Sequence, residues 1–200
     1  MISGKWARTL GICLALAGSG AFASDETGLH SLMTALARRG SSQVAFEETK
    51  SLRVLNSTIR LHGTMSYKAP DTVVREIAGP SPERFEIHGS SFTIEKNGKR
   101  KTVRVDALPV ARAFIEAFRA TLSGDEAVLR QYYEVDFSGS FAAWTLRLVP
   151  RQEALRNKVR EFIWSGHEAE VSRILIREQN GDSTRIDLAP IPGTAHERAH

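Results

Sequence analysis

Two hundred residues with 27 basic and 23 acidic side chains carry a formal charge of +4, and 42% of them are hydrophobic. That is the size of one domain with enough apolar material for a core, which excludes a disordered chain. So small a net charge is mild evidence at best for an acidic partner, and no nucleic-acid partner is expected.

The chain begins "MISGKWARTLGICLALAGSGAFAS". Lys5 and Arg8 precede an apolar run from Leu10 to Ala17, and Ala21-Phe22-Ala23 supplies small residues at a cleavage position. The pattern predicts a secretory signal peptide over residues 1–23, cut after Ala23. The run is well short of the ~20 residues that cross a bilayer as a helix. Cys13 is a poor lipid-attachment cysteine, because Ile12 stands where a small residue is needed and the apolar run continues past it. Cleavage removes the only cysteine, leaving the mature chain without a disulfide, a thiol nucleophile or a Cys metal ligand. It also removes two cations, so the formal charge falls from +4 to +2. An exported, periplasmic protein is expected.

A helix follows over 26–39, with Leu29, Leu32, Met33 and Leu36 on one face and Gly40 at its end. Strands come next. In "STIRLHGTMSYK", Ile59, Leu61, Met65 and Tyr67 alternate with polar residues, the pattern of an antiparallel strand buried on one side. "FTIEKNGKRKTVRV" and "VSRILIREQNGDSTRIDL" are hairpins, each with an Asn-Gly turn. "YYEVDFSGSFAAWTLRLVP" and "KVREFIWSG" are rich in aromatic and β-branched residues, as strands are.

The mid-chain segment "VARAFIEAFRATLSGDEAVL" differs. Phe114, Phe118 and Leu122 fall at helical spacing, Pro109 suits a helix start and Gly124 its end. Helices are predicted over 110–122 and 125–131, the second opening on Asp125-Glu126. The whole order predicts an α+β protein with one antiparallel sheet of nine to eleven strands. Such a sheet curls because strands twist, and its concave apolar face needs a cover. The helices supply that cover. From Pro190 onward the chain reads as a loose tail.

Catalytic signatures are thin. "HERAH" at 196–200 matches the zinc motif H-E-x-x-H, but five terminal residues after "PIPGTA" cannot sustain the helix that motif requires. It is read as a solvated tail. His62 and His88 lie on or beside predicted strands with no partner nominated. There is no nucleophile elbow, phosphate loop or dinucleotide fingerprint. No enzyme activity, metal or cofactor is expected. Arginines recurring along the strands, from Arg53 to Arg185, are read as a solvated convex face.

The segments "VAFEE", "GTMSYKAPD", "RFEIHGSSFTIEKNGKRKTVRVDALP", "LSGDEAVLRQYYEVDFSGSFAAWTLRLVP" and "ILIREQNGDSTRIDL" resemble the LolA-type outer-membrane lipoprotein carriers, in particular the divergent LolA-related branch. The resemblance spans about Leu29 to Leu188. It implies a half-open β-barrel with helices as a lid over an apolar cavity that shelters acyl chains, here residues 24–189, with 190–200 as a flexible tail. The implied cavity and lid residues are Leu32, Leu36, Phe46, Leu61, Met65, Phe114, Phe118, Leu122 and Trp144. The implied function is non-catalytic carriage of a lipid or acylated protein from the inner towards the outer membrane. A monomer would work between an inner-membrane lipid exporter and an outer-membrane acceptor. The alternative is a periplasmic lipid-sensing regulatory domain on a related curved-sheet fold. The chain departs from the family at Ala69 in "KAPD", where the lipoprotein carrier has an arginine that ties down the lid. Lys68 is no substitute, because one step along a strand reverses the face. Lipoprotein, glycolipid and lipid-linked pigment precursor therefore all stay open as cargo.

Overall fold

A computed structural model describes residues 21–107 and 109–191, without the side chains of residues 21–25, 109–111, 113, 114 and 117. Residues 1–20 of the stretch read as a signal peptide, and the "HERAH" motif, lie outside the described residues.

The first helix, α1 (Ala21–Arg39), leads into six strands: β1 (Ser41–Leu52), β2 (Ser57–Lys68), β3 (Thr72–Ile77), β4 (Glu83–His88), β5 (Ser91–Lys96) and β6 (Lys99–Arg104). Two helices follow, α2 (Pro109–Ser123) and α3 (Glu126–Tyr132), then β7 (Tyr133–Ser140) and β8 (Ala143–Pro150). A short α4 (Glu153–Arg156) precedes β9 (Val159–His167), β10 (Glu170–Glu178) and β11 (Ser183–Pro190). All eleven strands form one sheet in the order β6-β5-β4-β3-β2-β1-β11-β10-β9-β8-β7. Each strand pairs antiparallel with its sequence neighbour, except that β1 also takes β11 and β6 and β7 do not meet. The sheet is open. Its edge strand β6 reads Lys-Arg-Lys-Thr-Val-Arg, and charge of this kind discourages pairing with another chain.

The sequence reading of one antiparallel sheet with helices over it holds, and the strand number is at the top of the predicted range. Helix α1 begins at Ala21, five residues before the expected start, and α2 and α3 match their predicted spans closely. Asp125 caps α3, its Oδ1 accepting from the Val128 N–H at 3.0 Å. Strand β11 runs through Pro190, which pairs with Val44, so the sheet extends one residue into the segment read as tail.

Alternation decides the two faces. One inward row crosses the sheet as Leu61, Glu48, Ile186, Ile174, Trp164, Leu146 and Phe137, apolar at every position but one. An adjacent outward row contains Arg60, Thr49, Arg185, Leu175, Ile163, Arg147 and Asp136. Leu29, Leu32, Met33 and Leu36 of α1 are buried in the same core. At Gly124 (φ +69°) a Cβ would stand 2.1 Å from the Met33 carbonyl oxygen. Only glycine therefore lets the α2–α3 turn close against α1.

Outside, the buried carboxylate of Glu161 binds Arg147 at 2.6 Å and Arg177 at 2.7 Å, tying β8, β9 and β10. Burial raises the affinity of this carboxyl for its proton, but hydrogen bonds from Arg147 and Arg177 outweigh it and hold the pKa below the ordinary carboxylate value.

Candidate functional site

A cleft of about 690 Å³ opens where the N-terminal ends of β1 and β10 meet the C-terminal ends of β2, β9 and β11. Val44, Met65, Trp164, Ile174 and Leu188 line the sheet side, while Leu36 of α1 and Phe118 and Leu122 of α2 line the helical side. Its size is that of a small-molecule site, and its walls are mostly apolar. Helical spacing puts Phe118 and Leu122 on one side of α2, and strand register sets Trp164 between Leu146 and Ile174. The two surfaces touch: the Phe118 and Trp164 rings are 5.2 Å apart and tilted by 57°.

Two polar groups interrupt this apolar region. The Trp164 indole N–H is buried and finds no hydrogen-bond partner among the described residues. A buried donor in that state is costly unless something else accepts from it. Deeper on the same face, Arg75 pairs with the buried Glu48 at 2.7 Å and stacks 4.5 Å over the Phe46 ring. Its Nε is likewise without a partner. Removing either charge of this pair would strand the other in an apolar setting.

The rim is polar. Arg39, in the last turn of α1, donates to the Ala169 carbonyl at 2.8 Å and approaches Glu170 at 3.5 Å. His167 stands 3.3 Å from the same carboxylate. The end of α1 is thereby tied to the β9–β10 turn, beside the opening.

Helix α2 is secured from the other side by Arg119. Its guanidinium donates to the Gly89 carbonyl at 3.2 Å and lies 3.9 Å from Asp71, with Glu116 one helical turn away at 3.7 Å. One side chain on the helix thus reaches both the β2–β3 and the β4–β5 loops. Tyr67 donates to the Pro70 carbonyl at 3.3 Å beside this contact. Burial pushes its phenol pKa up, Arg119 opposes that shift and Asp71 adds to it. The arrangement answers what Ala69 leaves open. The cation sits on the helix and the anion in the strand loop, two residues after Ala69.

Of the residues expected in the cavity, Leu36, Met65, Phe118 and Leu122 line the cleft. Leu32, Phe46 and Trp144 are buried in the core, and Leu61 packs against it. Trp144 is held there by its own hydrogen bond, its indole N–H donating to the Glu168 carbonyl at 2.9 Å. The side chain of Phe114 lies outside the described residues. Sequence reasoning missed Trp164, Ile174 and Leu188. Each alternates correctly on a predicted strand, but alternation gives the face and not the place along it. Pro190 and Ile191 also line the cleft.

An open curved sheet with helices over an apolar cleft defines a lidded half-barrel. The chain matches the family described as outer membrane lipoprotein carrier protein LolA-like over residues 21–200, and it belongs to that family. No curated protein matches it. Among solved structures it is similar to a LolA superfamily protein from Nitrosomonas europaea. That likeness has 10% identity and a TM-score of 0.47, and it covers 83% of this chain and 91% of the other. It is also similar to a domain described as an outer membrane lipoprotein-sorting protein from Vibrio parahaemolyticus. There the identity is 12% and the TM-score 0.45, over 86% of this chain and 95% of the other. No helix among the described residues is long and apolar enough to cross a membrane.

Proposed function

We propose that the protein is a non-catalytic periplasmic carrier that holds the acyl chains of a lipoprotein or another lipid in this cleft, and moves that cargo from the inner towards the outer membrane. The observation that carries the reading is the apolar cleft of about 690 Å³ between the inner sheet face and Phe118 and Leu122 of α2. Apolar walls suit hydrocarbon, and the polar rim of Arg39, His167 and Glu170 suits a head group left near water. The signal peptide would be cut after Ala23, and N-terminal sequencing of exported protein should begin at Ser24. An inner-membrane exporter would load the carrier and an outer-membrane acceptor would unload it.

Binding of a fluorescent fatty-acid probe tests this. Affinity should rise with chain length, because each buried methylene contributes ~0.8 kcal/mol. Phe118→Asp, placing a charge against the apolar wall, should weaken binding by about tenfold or more. Circular dichroism must show the variant folded. Unchanged affinity in a folded Phe118→Asp protein would leave α2 as ordinary core and remove the main support for a carrier. Mass spectrometry of lipid co-purified from the native host would then identify the cargo.

A further inference from the structure

The four-residue loop joining β1 to β2 departs from the chemistry of its neighbours. Turns between strands favour Gly, Asn, Asp, Ser and Pro, yet Val54 and Leu55 occupy the middle of this one. Both face water, at 83% and 69% exposure, and Ile59 on the adjoining strand is 46% exposed. Three of the four large hydrophobic residues most exposed among the described residues therefore belong to one hairpin. Adjacent exposed apolar side chains have a meaning that scattered ones lack.

The base of the loop is fixed. The Arg53 N–H donates to Asp182 Oδ1 at 2.8 Å, and the Arg53 side chain lies against Gly181, where a Cβ would come within 2.6 Å of Nε. The β10–β11 turn in turn rests on the segment after α4, with Gln179 donating to the carbonyls of Lys158 at 2.9 Å and Arg156 at 2.8 Å. A rigid end of the sheet thus presents two apolar side chains to solvent.

The charge at this end of the sheet is unbalanced. The side chains of Arg53, Arg60, Arg156 and Lys158 form no salt bridge among the described residues. Of the acids at this end, Glu178 is occupied by Lys50 at 3.0 Å and Glu161 by Arg147, Arg160 and Arg177, which leaves Glu153 and Asp182. The cations remain in excess.

We infer that the β1–β2 hairpin tip docks on an anionic lipid bilayer, with Val54 and Leu55 entering the interface and Arg53, Arg60, Arg156 and Lys158 meeting lipid phosphates. Apolar side chains framed by cations bind such a surface by two additive effects, burial in the acyl boundary and attraction to anionic head groups. The cleft lies at the opposite end of β1, lined by Ser41 to Val44, while the strand ends at Leu52. At ~3.3 Å per residue the tip stands about 30–40 Å along the strand from those residues. Docking therefore leaves the cleft uncovered, and the inference does not depend on what the cleft holds.

Sedimentation of the purified protein with vesicles tests it. Phosphatidylglycerol-containing vesicles should bind the protein, pure phosphatidylcholine vesicles should bind it more weakly, and salt should reduce the difference. Val54→Asp with Leu55→Asp should lower the association about tenfold or more. Arg60→Gln should lower it about fivefold on anionic vesicles alone. Both variants should melt like the parent and bind the fatty-acid probe unchanged. No association of the parent with anionic vesicles at low salt would overturn the inference. So would undiminished association of the folded double variant, or self-association lost in that variant, which would assign the tip to a second copy of the chain.

Discussion

The two wings of the sheet share one alternation of residue types and are buried to different depths. In β7–β11 the inward side chains Tyr133, Leu146, Leu148, Phe162, Trp164 and Ile174 are fully enclosed, and α1, α3 and α4 contact strands β7, β8 and β9. In β4–β6 the inward positions Phe85, Ile87, Phe92, Ile94 and Val103 are only half-buried. Strand pattern therefore selects the face, and the helices decide the depth. Helix α2 lies between the two conditions. It meets the enclosed wing through Phe118 on Trp164, and the other wing through the polar reach of Arg119 to Gly89 and Asp71. A ring contact on one side and a partly exposed ion pair on the other make the second attachment the weaker one.

The largest effect should come from the enclosed wing. Leu146→Ala, at a fully buried position, should cost about 2–5 kcal/mol, while Ile94→Ala should cost about 1 kcal/mol. Urea unfolding of the pair measures this, and equal losses would erase the distinction between the wings. Next comes Gly124→Ala, which puts a methyl against the Met33 carbonyl at a left-handed φ of +69°. A loss of about 1–3 kcal/mol in thermal melts is expected.

The outer faces should differ in their response to acid. The Glu161 carboxyl has its pKa lowered in the folded state, so it binds protons more readily unfolded. It therefore contributes stability above the unfolded carboxylate value of 4.5, and that contribution is lost as pH falls through the lower folded value. Glu161→Gln should lower stability at pH 7 and flatten the acid limb of the stability profile. Glu76→Gln on the other wing, where Glu76 is 53% exposed beside Arg84, should change stability by less than about 0.5 kcal/mol. An unchanged acid limb in Glu161→Gln would assign the acid response to other groups.

A small change in stability should be the most informative about α2. Asp71→Asn removes the charge facing Arg119 across 3.9 Å and should cost less than about 1 kcal/mol. Because that contact holds one side of α2, probe release in stopped-flow should accelerate a few-fold while equilibrium unfolding barely moves. If release keeps its parental rate, the Arg119 contact is not what retains the helix.

Much of this molecule follows from short-range pattern. The alternation in "STIRLHGTMSYK", the Asn-Gly turns and the helical spacing of Leu29, Leu32, Met33 and Leu36 were enough for the sheet, its hairpins and its cover. Period and turn chemistry are local properties of the chain, and they are written wherever they act. What each inward residue does was decided elsewhere. Trp144 and Trp164 look alike in sequence, both in aromatic strands, yet the first donates to Glu168 and packs in the core while the second meets Phe118 at the cleft. The difference depends on which stretch of each strand α2 crosses. The hold on that helix was equally hidden. Ala69 marks a missing arginine, but nothing near it indicates that Arg119, fifty residues away, supplies the cation to Asp71. Contacts between distant segments arise only when packing brings them together, so the faces were legible in the chain and the partners across the cleft were left to the tertiary structure.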